Sequence, residues 1–192
     1  MNVFRVTVSY ETAQQIAPVE ELASARFRGQ EAGSDWENLA WVLRDPDQSV
    51  TPLLMYYQDN LMMTAEVMES PLGELVRRAG QIFEHELVDT GETIYMSNVL
   101  EIYHCLDVPQ STFRHFHPPK RRKGELGIGI AEAVVKRSAV GASDMFRFPE
   151  DPGRIALVND EQREPEDSFY HTLISSPWLS YFKLAPWGEL VD

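Results

Sequence analysis

Residues Tyr95 to Asp107 read YMSNVLEIYHCLD and carry the single cysteine of the chain. His104 precedes it and Asp107 follows two residues later. The stretch is therefore either a nucleophilic centre or a core element that happens to hold reactive residue types. A cysteine nucleophile needs a base within reach and a setting that stabilises its thiolate. On a strand, His104 and Cys105 would point to opposite faces. On a helix they would lie about 100° apart and still not meet. Any base for Cys105 must come from another histidine. Val99, Leu100, Ile102, Tyr103, Cys105 and Leu106 make the stretch apolar, and free cysteine is among the most buried residue types. It reads as a core element in which Asn98 and Asp107 fix a turn or cap through side-chain-to-backbone bonds.

Outward from this stretch, 192 residues with 43% hydrophobic and 24% charged content describe one ordinary globular unit. A chain of this size buries about 70% of its unfolded surface and needs no disulfide or metal to be stable. One cysteine excludes an internal disulfide and a cysteine-rich zinc site. The start, MNVFRVTVSYE, lacks the basic and apolar regions of a secretory signal, and no apolar run reaches the ~18 residues of a membrane helix. The expectation is a cytoplasmic protein without membrane association.

The segments around it divide into strands and helices. Residues 2–9 alternate as a strand with one buried face. Residues 17–27 suggest a helix with Pro18 in its first turn, and 34–43 a short helix capped by Ser34 or Asp35. Residues 50–58 and 60–68 suggest a hairpin. Ser70-Pro71 opens the clearest helix, with Leu72, Leu75, Ala79, Ile82 and Phe83 as its apolar stripe. DMFRF and RIALV suggest two strands around the turn PEDPG. A helix starts near Glu166 or Asp167, and residues 178–184 alternate as a last strand. The expected fold is a single mixed α+β domain over 1–192, with a mainly antiparallel sheet and about three helices.

Other chemical signals are weak. His115 and His117 would share a strand face, but spacing offers no third metal ligand. PPKRRK, residues 118–123, reads as a solvated basic loop in a chain of net charge −13. GELGIGIA, residues 124–131, does not have the spacing of a phosphate-binding loop. No catalytic, metal or cofactor site is expected.

Charge is the informative feature. Residues 41–90 hold 9 acids and 3 bases, and 141–192 hold 10 and 4, while 91–140 hold 5 and 7. Acid-rich flanks repel nucleic acid and attract basic partners.

Two parts of the sequence carry a family resemblance. YMSNVLEIYHCLD, followed by VPQSTF, resembles the Tyr-x-x-Asn-x-Leu … Asp/His-Cys-Leu-Asp … Ser segment of a bacterial immunity-protein family. That family occurs beside polymorphic toxins and is typified by the myxobacterial partner of a nuclease toxin used in kin discrimination. VVKRSAVGASDMFRFPEDPGRIALVND resembles its Gly-x-Asp-(Ile/Met)-Phe-Arg block, with Asn159 where the family usually has Ser. SFYHTLISSPWLSYFKL is similar to its closing helix and strand, so the likeness spans about residues 93–185.

The resemblance implies an antitoxin that binds a cognate protein toxin, a basic nuclease, and performs no reaction. Charge clustering then nominates Glu161, Glu164, Glu166 and Asp167, followed by Glu84, Glu86 and Asp89, as toxin contacts. Trp178 and Trp187 are either aromatic anchors or core. The alternative reading is a small hydrolase or transferase using Cys105.

Overall fold

The computed structural model describes residues 2–20, 28–33, 36, 38–47, 49–56, 60–115 and 128–192. In chain order its strands are β1 (Val3–Val8), β2 (Gln14–Pro18), β3 (Ala40–Leu43), β4 (Leu53–Met55), β5 (Leu61–Thr64), β6 (Gly80–Leu87), β7 (Glu92–Val99), β8 (Thr112–His115), β9 (Ile128–Lys136), β10 (Met145–Phe148), β11 (Asp151–Val158) and β12 (Phe182–Val191). Its helices are α1 (Ala65–Met68), α2 (Pro71–Ala79) and α3 (Phe169–Ile174). Strands β2, β3, β6, β7, β5 and β4 close into a small barrel. The others form a six-stranded sheet in the order β10-β11-β1-β12-β9-β8. Most pairings are antiparallel, with parallel pairs at β12–β9, β2–β4 and β3–β6. This is the expected α+β class.

The stretch 95–107 joins the two halves. It leaves the barrel as β7, then runs beside β10, where Ile102 bridges Arg147. The Arg147 amide donates to the Glu101 carbonyl at 2.8 Å, and the Tyr103 amide donates to the Arg147 carbonyl at 3.1 Å. A few residues on, it lies against β9. The Lys136 amide donates to the Cys105 carbonyl at 2.8 Å, and the Asp107 amide to the Val134 carbonyl at 2.7 Å. One segment thus covers the outer edge of β10 and part of the outer edge of β9. Backbone groups that would face an apolar core or solvent as open edges are paired instead.

Arg147 ties this joint together. Its side chain has 0% exposure. Its Nε donates to the Val99 carbonyl at 2.9 Å, at the end of β7, and another guanidinium nitrogen donates to the Pro152 carbonyl at 2.8 Å. Burying a guanidinium is costly, and these bonds offset part of that cost. Its neighbours Phe146 and Phe148 point the other way, into a core with Cys105, Leu106, Val3, Ala156 and Trp187.

Two further cores complete the fold. The barrel interior is filled by Ile16, Trp41, Leu54, Met62, Phe83 and Met96, among others. Between barrel and sheet lie Val6, Val8, Leu53, Met63, Leu157 and Phe182, roofed by α1, α2 and α3. Strands β4 and β5 are buried on both faces, which is why Leu53-Leu54-Met55 and Leu61-Met62-Met63 are unbroken apolar runs.

Several expected elements differ. The helix at 71 is capped by Ser70 but stops at Ala79, and Gly80–Leu87 is a strand. Ile82 and Phe83 fit a helical stripe, yet Phe83, His85 and Leu87 are buried while Glu84 and Glu86 are exposed, which is a period of two. Gly80 permits the switch. A Cβ there would lie 1.9 Å from the Asn98 carbonyl oxygen.

The helix expected from residue 17 is also replaced. Ala17 and Pro18 end β2, pairing with β3, and 21–27 lie outside the described residues. Ala40–Leu43, expected in a helix, is β3, with Trp41 and Leu43 drawn into the barrel. Leu179–Tyr181 is a 3-10 turn that precedes β12. The strand at 3–8 and the 145–158 hairpin lie where expected. Of the hairpin expected over 50–58 and 60–68, Leu53–Met55 and Leu61–Thr64 do pair, but Ala65–Met68 is helix α1.

Replacing Arg147 with Met should uncover the buried carbonyls of Val99 and Pro152 and cost about 3 kcal/mol. Urea unfolding with an unchanged slope is the measurement. A variant as stable as the parent would contradict the role given to this residue.

Candidate functional site

The 160–167 loop is tied to the body of the protein by side-chain bonds along its length. Arg137 pairs with Asp160 at its start and with Asp192 at 3.0 Å. The Arg163 guanidinium donates to the carbonyls of Ala142 and Gly141. Pro165–Asp167 form a 3-10 turn leading directly into α3. Buried Asp144 fixes that junction. Its carboxylate accepts from the Ser168 hydroxyl at 2.7 Å and from the Phe169 and Tyr170 amides at 2.9 and 3.0 Å. Arg78 of α2 bridges Asp167 at 2.9 Å and Glu74 at 2.8 Å. These last pairs are exposed and orient side chains more than they stabilise.

Between this loop, α2 and the 95–107 stretch lies a cleft of about 330 Å³. Leu75, Arg78, Glu101, Arg163, Glu164 and Asp167 line it. Glu101 is positioned by Tyr103. Burial pushes that phenol up to about 12, and its hydrogen bond to the Glu101 carboxylate adds to the shift. The Ser143 amide donates to the same phenol oxygen at 3.2 Å. Glu161 and Glu166 stand exposed on the loop beside the cleft. Carboxylates thus outnumber the two guanidinium groups here, so the site suits a cationic side chain entering from a partner.

The second nominated cluster lies elsewhere. Glu84 and Glu86 project from the outer wall of the barrel, opposite Tyr95 and Thr93 of β7. With Asn38 and Gly91 they line a shallow concavity of about 300 Å³ that shares no residue with the cleft. Asp89 has a building role, since its carboxylate accepts from the Leu43 amide at 2.6 Å.

The tryptophans are not exposed anchors. Trp187 is 7% exposed, and its indole donates to the Ile130 carbonyl at 3.1 Å, which places it in the core. Trp178 is half-buried against the main core. Exposed apolar groups that charge clustering missed are Tyr10, 59% exposed, Ile174 and Leu179. Tyr10 sits beside the 179–181 turn because the Ser9 amide bonds the Tyr181 carbonyl and the Thr12 hydroxyl bonds the Ser180 carbonyl. Its position just past the end of β1 was the available signal.

Cys105 has 0% exposure. Burial pushes its thiol up to about 12, with the charge of Glu150 adding to the effect. Burial of this kind favours the neutral thiol over the thiolate that a nucleophile needs. His104 is exposed on the adjacent residue, while His85 lies in the barrel and His171 in α3.

Asn98 does not fix a turn or cap: it lies in β7, and its side chain donates to the distant Gln30 carbonyl at 2.8 Å and to the Gln81 side chain at 3.1 Å. Asp107 shapes a turn. Its carbonyl accepts from the Ser111 amide and hydroxyl, and its carboxylate from Gln110 at 3.0 Å and Lys136 at 3.3 Å.

Among the described residues no group of three or more His, Cys, Asp or Glu could hold a metal ion. His117 and the 118–123 run lie outside the described residues. No described helix is long and apolar enough to cross a membrane.

A thiol reagent should therefore label Cys105 only as the protein unfolds, and Cys105→Ala should cost about 1–2 kcal/mol through lost burial alone. Labelling of the folded protein at the rate of a free thiol would contradict this placement. No protein-family model matches the chain, and comparison with curated proteins finds no relative.

Proposed function

We propose that this protein is an immunity protein that neutralises a cognate nuclease-type toxin in the cytoplasm by binding it. The observation that carries the reading is the set of exposed carboxylates on a fixed backbone around the 160–167 cleft. A nuclease must hold phosphates, so its working face is basic. Carboxylates presented by an already ordered loop are steered onto such a face, and little further ordering opposes binding. The family resemblance of residues 93–185 points the same way. The cysteine-enzyme reading has no comparable support, because the thiol it needs is buried, which disfavours its thiolate.

Glu161, Glu164, Glu166 and Asp167 are the first contacts on this reading, and Glu84 and Glu86 a separate second face. Trp187 takes no part. The test is binding to a candidate cognate nuclease toxin domain, with the variant Glu161→Gln, Glu164→Gln, Glu166→Gln and Asp167→Asn. Loss of four steering charges should slow association about tenfold or more at low salt and flatten its salt dependence. Circular dichroism should show the parent's fold. An unchanged association rate and unchanged protection of cells would reject the loop as the binding face.

A further inference from the structure

Tyr10 is 59% exposed, Ile174 44% and Leu179 38%. Tyr10 follows β1, and the other two lie on the connection from α3 to β12. Strands β1 and β12 are neighbours, with Val8 paired to Phe182, so the end of one meets the start of the other. The Ser9 amide donates to the Tyr181 carbonyl at 2.9 Å, and the Thr12 hydroxyl to the Ser180 carbonyl at 2.7 Å. These bonds hold Tyr10 against the 179–181 turn. The connection is closed on itself as well. The Ser176 amide and hydroxyl both donate to the Leu173 carbonyl, at 3.0 and 2.8 Å, and the Tyr181 amide donates to the Trp178 carbonyl at 2.9 Å. Phe169, Leu173 and Phe182 already fill the main core here, with Trp178 and Tyr181 packed partly buried against it. Tyr10, Ile174 and Leu179 are left outside as an apolar patch. Such patches with a polar surround mark contact surfaces.

Acid flanks the patch on two sides. On one, Glu11 and Asp45 line a concavity of about 290 Å³ together with Tyr10 and Arg44. On the other, Glu164, Glu166 and Asp167 lead into α3, whose length is about 9 Å. Bases are fewer in these segments. Arg44 and Lys183 are exposed, and Arg163 is committed to the Gly141 and Ala142 carbonyls. A second copy of this chain would bring the same acid and a net charge of −13, so like charges oppose that contact. A cationic partner meets the opposite situation.

We propose that Tyr10, Leu179 and Ile174 form the water-excluding centre of the toxin-binding surface, and that the toxin presents there an apolar or aromatic side chain ringed by lysines or arginines. The inference rests on the immunity reading and adds to it the residues that hold the toxin once the carboxylates have steered it in. The two groups of residues act on different rates. Rim charges govern association, whereas aromatic and aliphatic anchors govern dissociation.

Binding kinetics with a candidate cognate nuclease toxin domain separate the two. The parent, the double variant Tyr10→Ser with Leu179→Ser, and the four-carboxylate variant would be compared across salt concentrations. The patch variant should dissociate about tenfold faster or more, with association within about twofold of the parent and the parent's salt dependence. Its circular dichroism should match the parent's, and if the double variant does not fold, Tyr10→Ser alone serves. A parent-like dissociation rate in the folded patch variant, with slowed association in the four-carboxylate variant, would overturn this proposal and leave the immunity reading standing. Failure of the parent itself to bind would overturn both. Sedimentation of the protein alone gives a further reading. A monomer is expected, and a dimer that the patch variant abolishes would assign the patch to a second copy and overturn the proposal.

Discussion

The backbone of residues 99–107 must be satisfied on two sides at once, and the rest of the molecule depends on how that is done. The stretch leaves a barrel in which β7 is paired on both edges, and it enters a sheet whose outer strands still need partners. Bonds to Arg147 on one side and to Val134 and Lys136 on the other meet the requirement. The buried Arg147 side chain then pins the exit from the barrel through the Val99 carbonyl. A side chain that satisfies two carbonyls from different parts of the chain fixes their relative position more firmly than apolar contact could, because hydrogen bonds are directional. Cys105 lies within this joint, which explains its burial and the upward shift of its thiol together.

The cleft follows from the same joint. Glu101 is placed there because its carbonyl is committed to β10 and its carboxylate is held by Tyr103. The opposite wall, Arg163 to Asp167, is set by Asp144 just before β10 and by the start of α3. The charged rim is thus placed by structural bonds on both of its sides. The barrel is built differently. Among the described residues its interior is filled mainly by apolar side chains such as Ile16, Leu54, Met62 and Met96.

Parts of this were legible in the sequence for definite reasons. Strand β1 and the hairpins alternate or carry turn residues between apolar runs, and such local signals need no tertiary information. The burial of Cys105 was readable from its apolar neighbours and from the habit of free cysteine to lie inside. The acidic loop was readable as charge, and it is exposed. What was not legible depends on distant partners. The change from helix to strand at Gly80 is decided by β7, against which only a glycine fits. Strand β3 is fixed by β2 and β6, not by its own helix-compatible spacing. Trp187 and Trp178 differ in burial for reasons no local pattern encodes. The role of Arg147 was hidden inside a short strand motif, because an arginine in DMFRF reads as a solvent-facing residue.

The central claim, that the 160–167 rim recognises a basic toxin face, is most directly tested by a double-mutant cycle. Glu164→Arg in this protein would be combined with charge reversal of single arginines or lysines on the nuclease toxin domain proposed as its partner, and the affinities measured for each pairing. The account predicts that at least one reversal restores binding lost to Glu164→Arg, with a coupling energy above about 1 kcal/mol. Strictly additive effects for every pairing, with Glu164→Arg itself harmless, would contradict it.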